Sequence, residues 1–488
     1  MTAPIQSAPP RADTRPSLIL LAATSLAVLA GCAVGPDYKR PEVALPAAFK
    51  ENPGWKVATP NEQAYRGPWW KLFGDPVLDG LEAQLERSNL TIAQAVANYE
   101  EARQVARADR TGYLPTIAAT GAAQRARAPV PQGGLTASTF TADLGASWEP
   151  DFWGRIRRTV ESDVEAAQAS AADLAVARLS EQALVAEDYI QLRVADDQIR
   201  LLENAVEAYR RTVVITQNKY SVGVAARSDV ITAQTQLDST RAQLIGAGVQ
   251  RAQYEHAIAV LLGKAPADFA IERRPDLAIA TPEIPPQMPS SLLERRPDVA
   301  AAERQAAAAN ARVGIQTAAY YPSFSVTGDA GYEGSPLHSL FTTPFRFWTL
   351  GAQATDAILD WGQRRDQVLS AKAAYQAAAD NYKQTVLAAL QQVEDGLSGL
   401  RILKTQAKVE QDAVVEAAQA AQIALNEYNA GTVDFTTVVT AQVIELSNRE
   451  AALAIIQSEL LASVELIQAT GGGWTAADLP APGKVVAH

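Results

Sequence analysis

The chain has 488 residues, and its 54 acidic side chains outnumber 43 basic ones to give a formal net charge of −11. This balance argues against a nucleic-acid partner, because nucleic-acid binding neutralises phosphates with Lys and Arg. The single cysteine also excludes a disulfide framework.

The first 31 residues read as a lipoprotein-type signal peptide. Arg11 and Arg15 precede an apolar run at 18–29, which is too short to cross a bilayer as a helix. Small residues then lead to Cys32, as in a bacterial lipoprotein cleavage and acylation site. We therefore expect Cys32 to become the first mature residue and to carry covalent diacylglycerol and an N-acyl lipid, with no other cofactor. The alternative is an incidental thiol.

An extended, Pro-rich segment at 32–75 follows the signal, and the rest of the chain is internally duplicated. Trp153-Gly154 returns 208 residues later as Trp361-Gly362. Several further residues recur at this spacing, with Tyr220 returning as Tyr428, Gly223 as Gly431 and Arg241 as Arg449. The pattern predicts two repeats, 76–264 and 299–470, joined by a Pro-rich linker at 265–298 and followed by a tail at 471–488.

Each repeat contains two candidate strands. They cover about 114–128 and 138–150 in the first repeat, and about 322–333 and 344–358 in the second. Apolar and polar residues alternate most clearly in the second and third strands, which predicts one lipid-facing and one water-facing side. A half-buried sheet of a soluble protein would alternate in the same way. Four strands cannot close a barrel, so a membrane-spanning sheet would require several copies of the chain.

The strands of each repeat precede two long helices. Residues 155–222 contain no Gly or Pro and would extend roughly 100 Å as one helix. The corresponding helix of the second repeat covers 363–430. Return helices are predicted at 228–262 and 436–470, after turns at Gly223 and Gly431, where glycine can adopt the left-handed conformation that ends a helix. Apolar residues spaced by three and four predict coiled-coil packing.

Four short motifs identify a family resemblance. They are, in chain order, Cys-Ala-Val-Gly-Pro-Asp-Tyr at 32–38, Trp-Trp-Lys-Leu-Phe-Gly-Asp-Pro at 69–76, Leu-Leu-Glu-Arg-Arg-Pro-Asp at 292–298 and Gly-Gly-Gly-Trp at 471–474. Together, and in the same order, they resemble the recurrent motifs of the TolC/OprM-type outer-membrane factor family, specifically the lipoprotein branch that serves RND-type tripartite efflux pumps.

The resemblance implies a mostly helical fold with a transmembrane β-barrel portion. Four strands per chain would form a twelve-stranded barrel in a homotrimer, and the long helices would form a periplasmic α-barrel. The trimer would lie in the outer membrane of a Gram-negative bacterium and contact its lipid. It would conduct small molecules passively, after a periplasmic adaptor and an inner-membrane RND transporter deliver them.

The resemblance also suggests candidate residues for a periplasmic gate. Asp229 and Tyr428 match the family positions of a carboxylate–phenol link between neighbouring coils. The family's arginine falls on Val433, however, and its gate aspartates fall on Thr437 and Thr440. Threonine carries no charge, so these departures argue against a charged constriction. Asp229 could instead be a favourable charge at a helix N-terminus, and Tyr428 a packing aromatic.

Acidic residues occupy the predicted polar strand faces. Trimerisation would multiply Asp143, Glu149, Asp329 and Glu333 into rings, which favours a modest preference for cations. The alternative is that polar faces simply carry some charge, since barrel interiors are polar in general.

No catalytic constellation is present in the sequence. His256, His338 and His488 are widely separated, and their spacing fits neither a metal site nor His-based catalysis. We therefore expect a channel and not an enzyme. The remaining alternatives are an exit duct of a type I protein secretion system and a structural periplasmic coiled-coil lipoprotein without a channel.

Overall fold

The computed structural model describes residues 33–46, 48–51, 67–128, 135–274, 279–282 and 292–487. The predicted signal peptide and Cys32 lie outside the described residues. The main elements are, in chain order, α1 (Pro76–Ser88), α2 (Leu90–Arg110), β1 (Thr116–Ala128), β2 (Leu135–Trp148), α3 (Arg155–Ser221), α4 (Arg227–Leu261), α5 (Pro297–Ala318), β3 (Ser323–Gly334), β4 (Arg346–Thr355), α6 (Gln363–Ala430) and α7 (Phe435–Ala469).

The predicted fold class, mostly helical with four strands and an internal duplication, is confirmed. Helices α1, α2 and α5 were not predicted, and the predicted strands and long helices differ from the structure only at their ends. β2 ends at Trp148 because Pro150 has no N–H to donate to a neighbouring strand. β4 begins after a short 3-10 turn that contains Pro344, and ends before Asp356, whose carboxylate binds Arg364.

Long helices pack in antiparallel pairs, α3 with α4 and α6 with α7. The stripe of residues spaced by three and four along α6 is buried, as the sequence predicts, and consists of Ala379, Tyr382, Val386, Ala389 and Val393. Helix α5 lies between α3 and α6 and so joins the two repeats. Among the described residues, none of the helices combines the length and the hydropathy that a bilayer crossing requires.

The N-terminal segment runs along the helices in an extended conformation. The hydroxyl of Tyr38 donates to Glu303 of α5 at 2.8 Å. Further along, the backbone N–H groups of Lys50 and Glu51 donate to the carboxylate of Glu394 on α6. A side chain on Gly35 would lie 2.5 Å from the Cα of Gly314, so this crossing requires glycine. The described part of the segment before residue 52 is therefore docked along the helices.

A buried polar network holds the described start of the linker between the repeats. Asp196 is fully buried and accepts hydrogen bonds from Arg193 and Arg251 at 3.0 and 2.7 Å. The two arginines also donate to the backbone carbonyls of Glu272 and Ile271 in the linker. Because each buried charge has a partner, the network avoids the cost of an isolated ion and holds the chain at 271–272 against α3 and α4.

One buried carboxyl group lies outside such a network. Glu82 on α1 is 0% exposed, and neither of its carboxyl oxygens has a hydrogen-bond partner within the described residues. Burial raises the pKa of Glu82 to about 9, and the negative charges of Glu86 and Asp79 add to the shift. The group is therefore protonated and neutral in the folded protein at neutral pH.

This raised pKa predicts a specific pH dependence of stability. The unfolded chain releases the Glu82 proton near pH 4.5 and the folded chain near pH 9, so the free energy of unfolding falls as pH rises between these values. We expect Glu82→Gln, which resembles the neutral acid, to weaken this fall by up to ~1.4 kcal/mol per pH unit. Apparent unfolding midpoints in detergent, measured from pH 5 to 8 by helical circular dichroism, provide the test.

The exposed carboxylate of Glu101 on α2 offers a matched control. Glu101→Gln should leave the parent pH profile unchanged. An equal pH profile for Glu82→Gln and the parent protein would show that Glu82 is not buried as described.

Candidate functional site

The four strands form one antiparallel sheet in chain order, β1-β2-β3-β4. The first hairpin pairs Thr116 with Ser147, and the second pairs Ser323 with Thr355. The hairpins join through β2 and β3, where Trp148 lies opposite Val326. β1 and β4 are thus the edges of the sheet, and within the described residues their outer sides have no strand partner.

One face of this sheet is apolar and exposed. Leu144, Trp348 and Leu350 lie on it and are 60%, 73% and 74% exposed, respectively. A soluble protein would cover such a face, whereas a lipid-facing sheet presents it to the bilayer. The exposure therefore favours the membrane interpretation of the alternating sequence over a half-buried soluble sheet.

The opposite face is polar and brings together three of the four predicted acids. Asp143 lies opposite Gly331, and Asp329 lies opposite Gly145. A Cβ on Gly331 would lie 2.6 Å from the Cβ of Asp143, and a Cβ on Gly145 would lie 2.7 Å from Oδ1 of Asp329. Gly145 therefore makes room for the carboxylate of Asp329, and Gly331 makes room for the backbone and the Cβ of Asp143 on the neighbouring strand.

The third acid of this face is Glu333, which lies opposite Thr141. Asp329 in addition accepts a hydrogen bond from the hydroxyl of Thr349 on β4 at 3.0 Å. The three acids give the polar face a negative character, and none of the basic residues of the described strands lies on this face.

Glu149 does not belong to this acidic face. It lies one residue beyond the end of β2, and its carboxylate forms a bidentate ion pair with Arg155 at 2.7 and 3.1 Å. The sequence-based placement of Glu149 on the strand was wrong, because the strand ends at Trp148. Its charge is neutralised at the junction of sheet and helices.

The apolar face also carries three arginines that the sequence analysis did not identify. Arg125 lies opposite Ser138 and Arg346 opposite Tyr332, at the end of the sheet farther from the long helices. Arg127 lies two residues beyond Arg125, and all three are exposed. Charged residues on a lipid face are tolerated near the membrane surface and are costly at its centre. This end of the sheet therefore reads as an interfacial boundary.

The other end of the sheet meets the helices at a rigid junction. The indole ring of Trp153 stacks on Tyr321 with 4.6 Å between centroids, and its Nε1 donates to the carbonyl of Pro322 at 2.8 Å. Asp151 accepts hydrogen bonds from the first backbone N–H groups of α3, those of Ile156 and Arg157. The junction thus links β2 to α3 and also to the residues that precede β3, the first strand of the second repeat.

The N-terminal segment begins at this junction. Val34 donates its backbone N–H to the carbonyl of Trp153 at 3.0 Å. Ala33 packs so closely that a Cβ on Gly154 would lie 2.8 Å from its Cα. Cys32 itself is outside the described residues, but its neighbour Ala33 lies where the sheet ends and the long helices begin.

At the far end of the helices, two glycine turns reverse the chain. Gly223 and Gly431 both have positive φ, at 82° and 81°. In each turn the residue after the glycine, Val224 or Thr432, donates its backbone N–H to a carbonyl five residues earlier. These bonds are the Schellman arrangement, which satisfies carbonyls at a helix end. The structure therefore places both predicted turn glycines at the helical tip.

A contact at this tip holds the two helical hairpins together. Tyr428 is 6% exposed, and its ring packs against Phe435 with 5.2 Å between centroids. The ammonium of Lys219, on the other hairpin, lies 4.0 Å from the centroid of the Tyr428 ring and donates to its backbone carbonyl. A cation over an aromatic face is attracted by the ring quadrupole. The sequence analysis did not identify Lys219, because the contact joins residues 209 apart.

The link between Asp229 and Tyr428 that the resemblance implies is not formed within this chain. The hydroxyl of Tyr428 is buried and has no hydrogen-bond partner of normal geometry among the described residues. Burial raises the pKa of Tyr428, and the negative charge of Asp229 adds to this effect. Asp229 is half-buried in the first turn of α4. Because its raised pKa keeps the Tyr428 phenol neutral at neutral pH, Asp229 affects the ionisation of Tyr428 and forms no ion pair with it.

Thr437 and Thr440 are exposed at the start of α7, and Val433 packs beside Tyr428 in a small apolar cluster. The acidic residue just before α7 is Asp434, which accepts hydrogen bonds from the backbone N–H and the hydroxyl of Thr437, both at 3.0 Å. These bonds hold the pKa of Asp434 below its usual range. The sequence signal was an Asp just before a helical run, which is a helix N-cap pattern.

The described residues contain no cluster of three or more His, Cys, Asp or Glu side chains that could hold a metal ion. The arrangement instead consists of a sheet with one apolar and one polar face, placed at one end of a long helical bundle. A sheet of this kind can separate lipid on one side from water on the other.

Comparison with known proteins supports this interpretation. The family model described as "Outer membrane efflux protein" matches residues 81–264 and 288–472. The chain is 30% identical over 473 residues to the antibiotic efflux pump outer membrane protein ArpC of Pseudomonas putida. It is equally similar to the toluene efflux pump outer membrane protein TtgC, also of Pseudomonas putida. Both alignments cover 94% of this chain and 96% of the relative.

The fold agrees with that of a solved channel. The outer-membrane channel OprN superposes with a TM-score of 0.85 at 29% identity, over 91% of this chain and 100% of OprN. The chain therefore belongs to the outer membrane efflux protein family, and it is an outer-membrane efflux channel.

Proposed function

We propose that the channel is a homotrimer that works as the outer-membrane duct of an RND-type tripartite pump. The observation that carries this proposal is the sheet of four strands with two open edges and one exposed apolar face. In lipid, the backbone groups of an open edge have no water to bond and cost several kcal/mol each. Three copies, joined edge to edge, would close a twelve-stranded barrel and remove every edge.

The polar face of the sheet would line the barrel. Asp143, Asp329 and Glu333 would then recur three times around the lumen and favour cations. Below the membrane, the paired helices of three chains would continue the duct into the periplasm. An adaptor and an inner-membrane transporter would supply both the cargo and the energy.

The names of two relatives support a class of cargo. ArpC is named for antibiotic efflux and TtgC for toluene efflux. We propose small toxic organic molecules as the cargo of this chain. A duct of this kind selects weakly, so the transporter would set the substrate range.

The acylated residue would be Cys32. Ala33 lies at the junction between sheet and helices, close to Gly154. Acyl chains on the preceding residue would therefore start at the periplasmic surface of the outer membrane and could enter its inner leaflet without any rearrangement of the chain.

The tip would be the periplasmic gate. Lys219 and Tyr428 join the two hairpins of one chain, and the negative charge of Asp229 contributes to the raised pKa of Tyr428. Opening would require the hairpins to separate, which breaks this contact. Thr437 and Thr440 are exposed and uncharged, so they would not form a ring of carboxylates at the tip. The contact between the hairpins would therefore control the opening.

The trimer and its activity can be tested on purified mature protein. We expect a native mass of three chains in detergent and ion conductance in planar bilayers. In a strain that lacks its own channel, expression with a cognate adaptor and transporter should lower the accumulation of a fluorescent amphiphilic dye. A folded monomer without conductance would overturn the proposal.

The gate contact gives a second prediction. Lys219→Met keeps most of the side-chain volume but removes the charge-assisted hydrogen bond and the cation–π attraction, which together are worth about 1–3 kcal/mol. We expect higher resting conductance of the trimer in planar bilayers, because the closed arrangement loses a contact. Lys408→Met alters an exposed lysine of α6 and serves as the control. Equal conductance of Lys219→Met and parent trimers would exclude the gate role.

Acylation gives a third prediction. Cys32→Ser removes the thiol that carries the diacylglycerol, so radiolabelled palmitate should no longer be incorporated. The intact mass should lose the acyl groups, or the signal peptide should remain uncleaved. The trimer should persist where the signal is removed by another route, because the contacts of Val34 and Tyr38 do not involve the lipid. Undiminished palmitate labelling of the variant would show that acylation occurs elsewhere.

A further inference from the structure

All the positive charge of the described strands lies on the apolar face of the sheet. Arg125 lies opposite Ser138 and Arg346 opposite Tyr332, and Arg127 is the next residue of β1 on the same face. The three side chains are exposed. A charge on the lipid-facing side of a barrel is costly unless it lies near the membrane surface. The depth and the surroundings of these arginines therefore need an explanation.

The arginines of both edge strands lie the same number of residues from the junction with the helices. In β1 nine residues, 116–124, precede Arg125, and in β4 nine residues, 347–355, follow Arg346. A tilted strand crosses the hydrocarbon core in about 9–11 residues. A strand that enters the membrane at the junction therefore leaves the hydrocarbon at these arginines, where the headgroups of the outer leaflet begin.

Aromatic rings mark the same boundary. Tyr332, opposite Arg346, packs edge-on against Phe341 with 5.4 Å between ring centroids, and Phe341 is 71% exposed. Trp348 is the next residue of β4 on the apolar face and is also exposed. Girdles of aromatic side chains flank the apolar band of a membrane barrel at both interfaces. The rings thus support the headgroup depth of the arginines.

Within the described residues, none of the three arginines forms an ion pair. The two segments at this end of the sheet, 125–137 and 334–346, contain the three arginines and His338 but no Asp or Glu. The acid that precedes the second segment, Glu333, lies on the polar face. This local excess of positive charge is unusual in a chain with a formal net charge of −11.

The junction at the other end of the sheet is built differently. There Arg155 binds the carboxylate of Glu149, and Arg364 binds those of Asp356 and Asp360. The chain therefore supplies carboxylates to arginines at the periplasmic end of the sheet and supplies none at the outer end. The outer arginines are left for an anion from outside the chain.

We propose that Arg125, Arg127 and Arg346 bind the phosphate groups of an outer-leaflet lipid, a phosphorylated glycolipid of the lipid A type. The inference rests on the proposed trimeric barrel, which sets the sheet across the membrane. It adds the residues that hold the surrounding lipid and the chemical group that they recognise.

The guanidinium groups and the face below them suit an amphiphile of this kind. A guanidinium remains charged and presents paired N–H donors that match two oxygens of one phosphate. Arg125 and Arg127 are about 7 Å apart along the strand, so each can bind a phosphate oxygen of the same headgroup. Towards the junction the same face presents Leu144 and Leu350, which are 60% and 74% exposed and contact the acyl chains.

The proposed trimer favours a lipid with more than one phosphate. β1 and β4 are the two edges of the sheet, and these edges meet where three copies close a barrel. Arg346 then lies at the same end of the wall as Arg125 and Arg127 of the partner subunit. Three guanidinium groups exceed the need of a single phosphate. A glycolipid with two phosphates therefore fits this patch better than a phospholipid with one.

Binding of a defined lipid to the purified mature protein tests the proposal. The delipidated protein is titrated in detergent with diphosphoryl lipid A, and bound lipid is counted by native mass spectrometry. EDTA is present so that divalent cations cannot bridge the phosphates. We expect Arg125→Gln with Arg127→Gln to bind lipid A about tenfold or more weakly, because a charge-assisted hydrogen bond is worth roughly a factor of ten in affinity. Arg346→Gln should act in the same direction.

Two exposed arginines of α3 provide a matched control. Arg210→Gln with Arg211→Gln removes the same charge from a helix outside the sheet and should leave the affinity for lipid A unchanged. Replacing Arg125 and Arg127 with Lys keeps the charge but loses the paired donors, and should restore part of the affinity. Equal affinity of the parent protein and the Arg125→Gln, Arg127→Gln variant would overturn the proposal.

Other ligands identify the group that is bound. Dephosphorylated lipid A and phosphatidylglycerol should both bind the parent more weakly than diphosphoryl lipid A, and inorganic phosphate at equal concentration should not displace lipid A. Equally tight binding of the dephosphorylated lipid would overturn the role of phosphate. Equally tight binding of phosphatidylglycerol, or displacement by inorganic phosphate, would overturn the glycolipid as the ligand.

The native mass of each preparation separates this inference from the proposed function. We expect three chains for the parent and for every variant, because the arginines point into the lipid and not into the lumen. A parent trimer that conducts ions but binds no lipid A would overturn the lipid site alone. A folded parent monomer without conductance would overturn the proposed trimer, and the site with it.

Discussion

The structure depends on the requirement that a strand in lipid pairs every backbone N–H and C=O. Water cannot satisfy these groups inside the bilayer, so an open sheet edge is not tolerated there. β1 and β4 present such edges, while the apolar side of the same sheet demands lipid contact. A single chain cannot meet both demands. In the proposed trimer the sheet would form one part of a larger wall, and the helices that follow it would continue that wall.

The four-stranded sheet and the long helices arise from two copies of one repeat. Positions at which the copies differ are specialised in one copy. Both helical tips turn at glycine with the same backbone hydrogen bonds. Tyr428 is nevertheless buried, whereas its counterpart Tyr220 is 44% exposed. Lys219 corresponds to Glu427 in the second copy, so the cation that binds Tyr428 occurs in only one of the two. The contact between hairpins is thus asymmetric, although the backbone that presents it is nearly symmetric.

Periodic features of this fold could be predicted from the sequence, and isolated contacts could not. The spacing of Tyr382 and Val386 predicts a buried stripe, and the alternation around Leu144 predicts a two-faced sheet, because each pattern repeats many times along one element. Glu149 was misplaced because one residue decides where a strand ends. The burial of Glu82 and the position of Lys219 depend on distant neighbours, so no local pattern signals either of them.

The docked N-terminal segment constrains the order in which the molecule can form. Tyr38 binds Glu303, which follows it by 265 residues, and Lys50 binds Glu394, which follows it by 344. Contacts over such sequence distances form late, because a long loop must close before they gain any energy. The N-terminal segment precedes both partners in the chain, so it can dock only after α5 and α6 have been synthesised and folded. Its docking therefore depends on both halves of the chain.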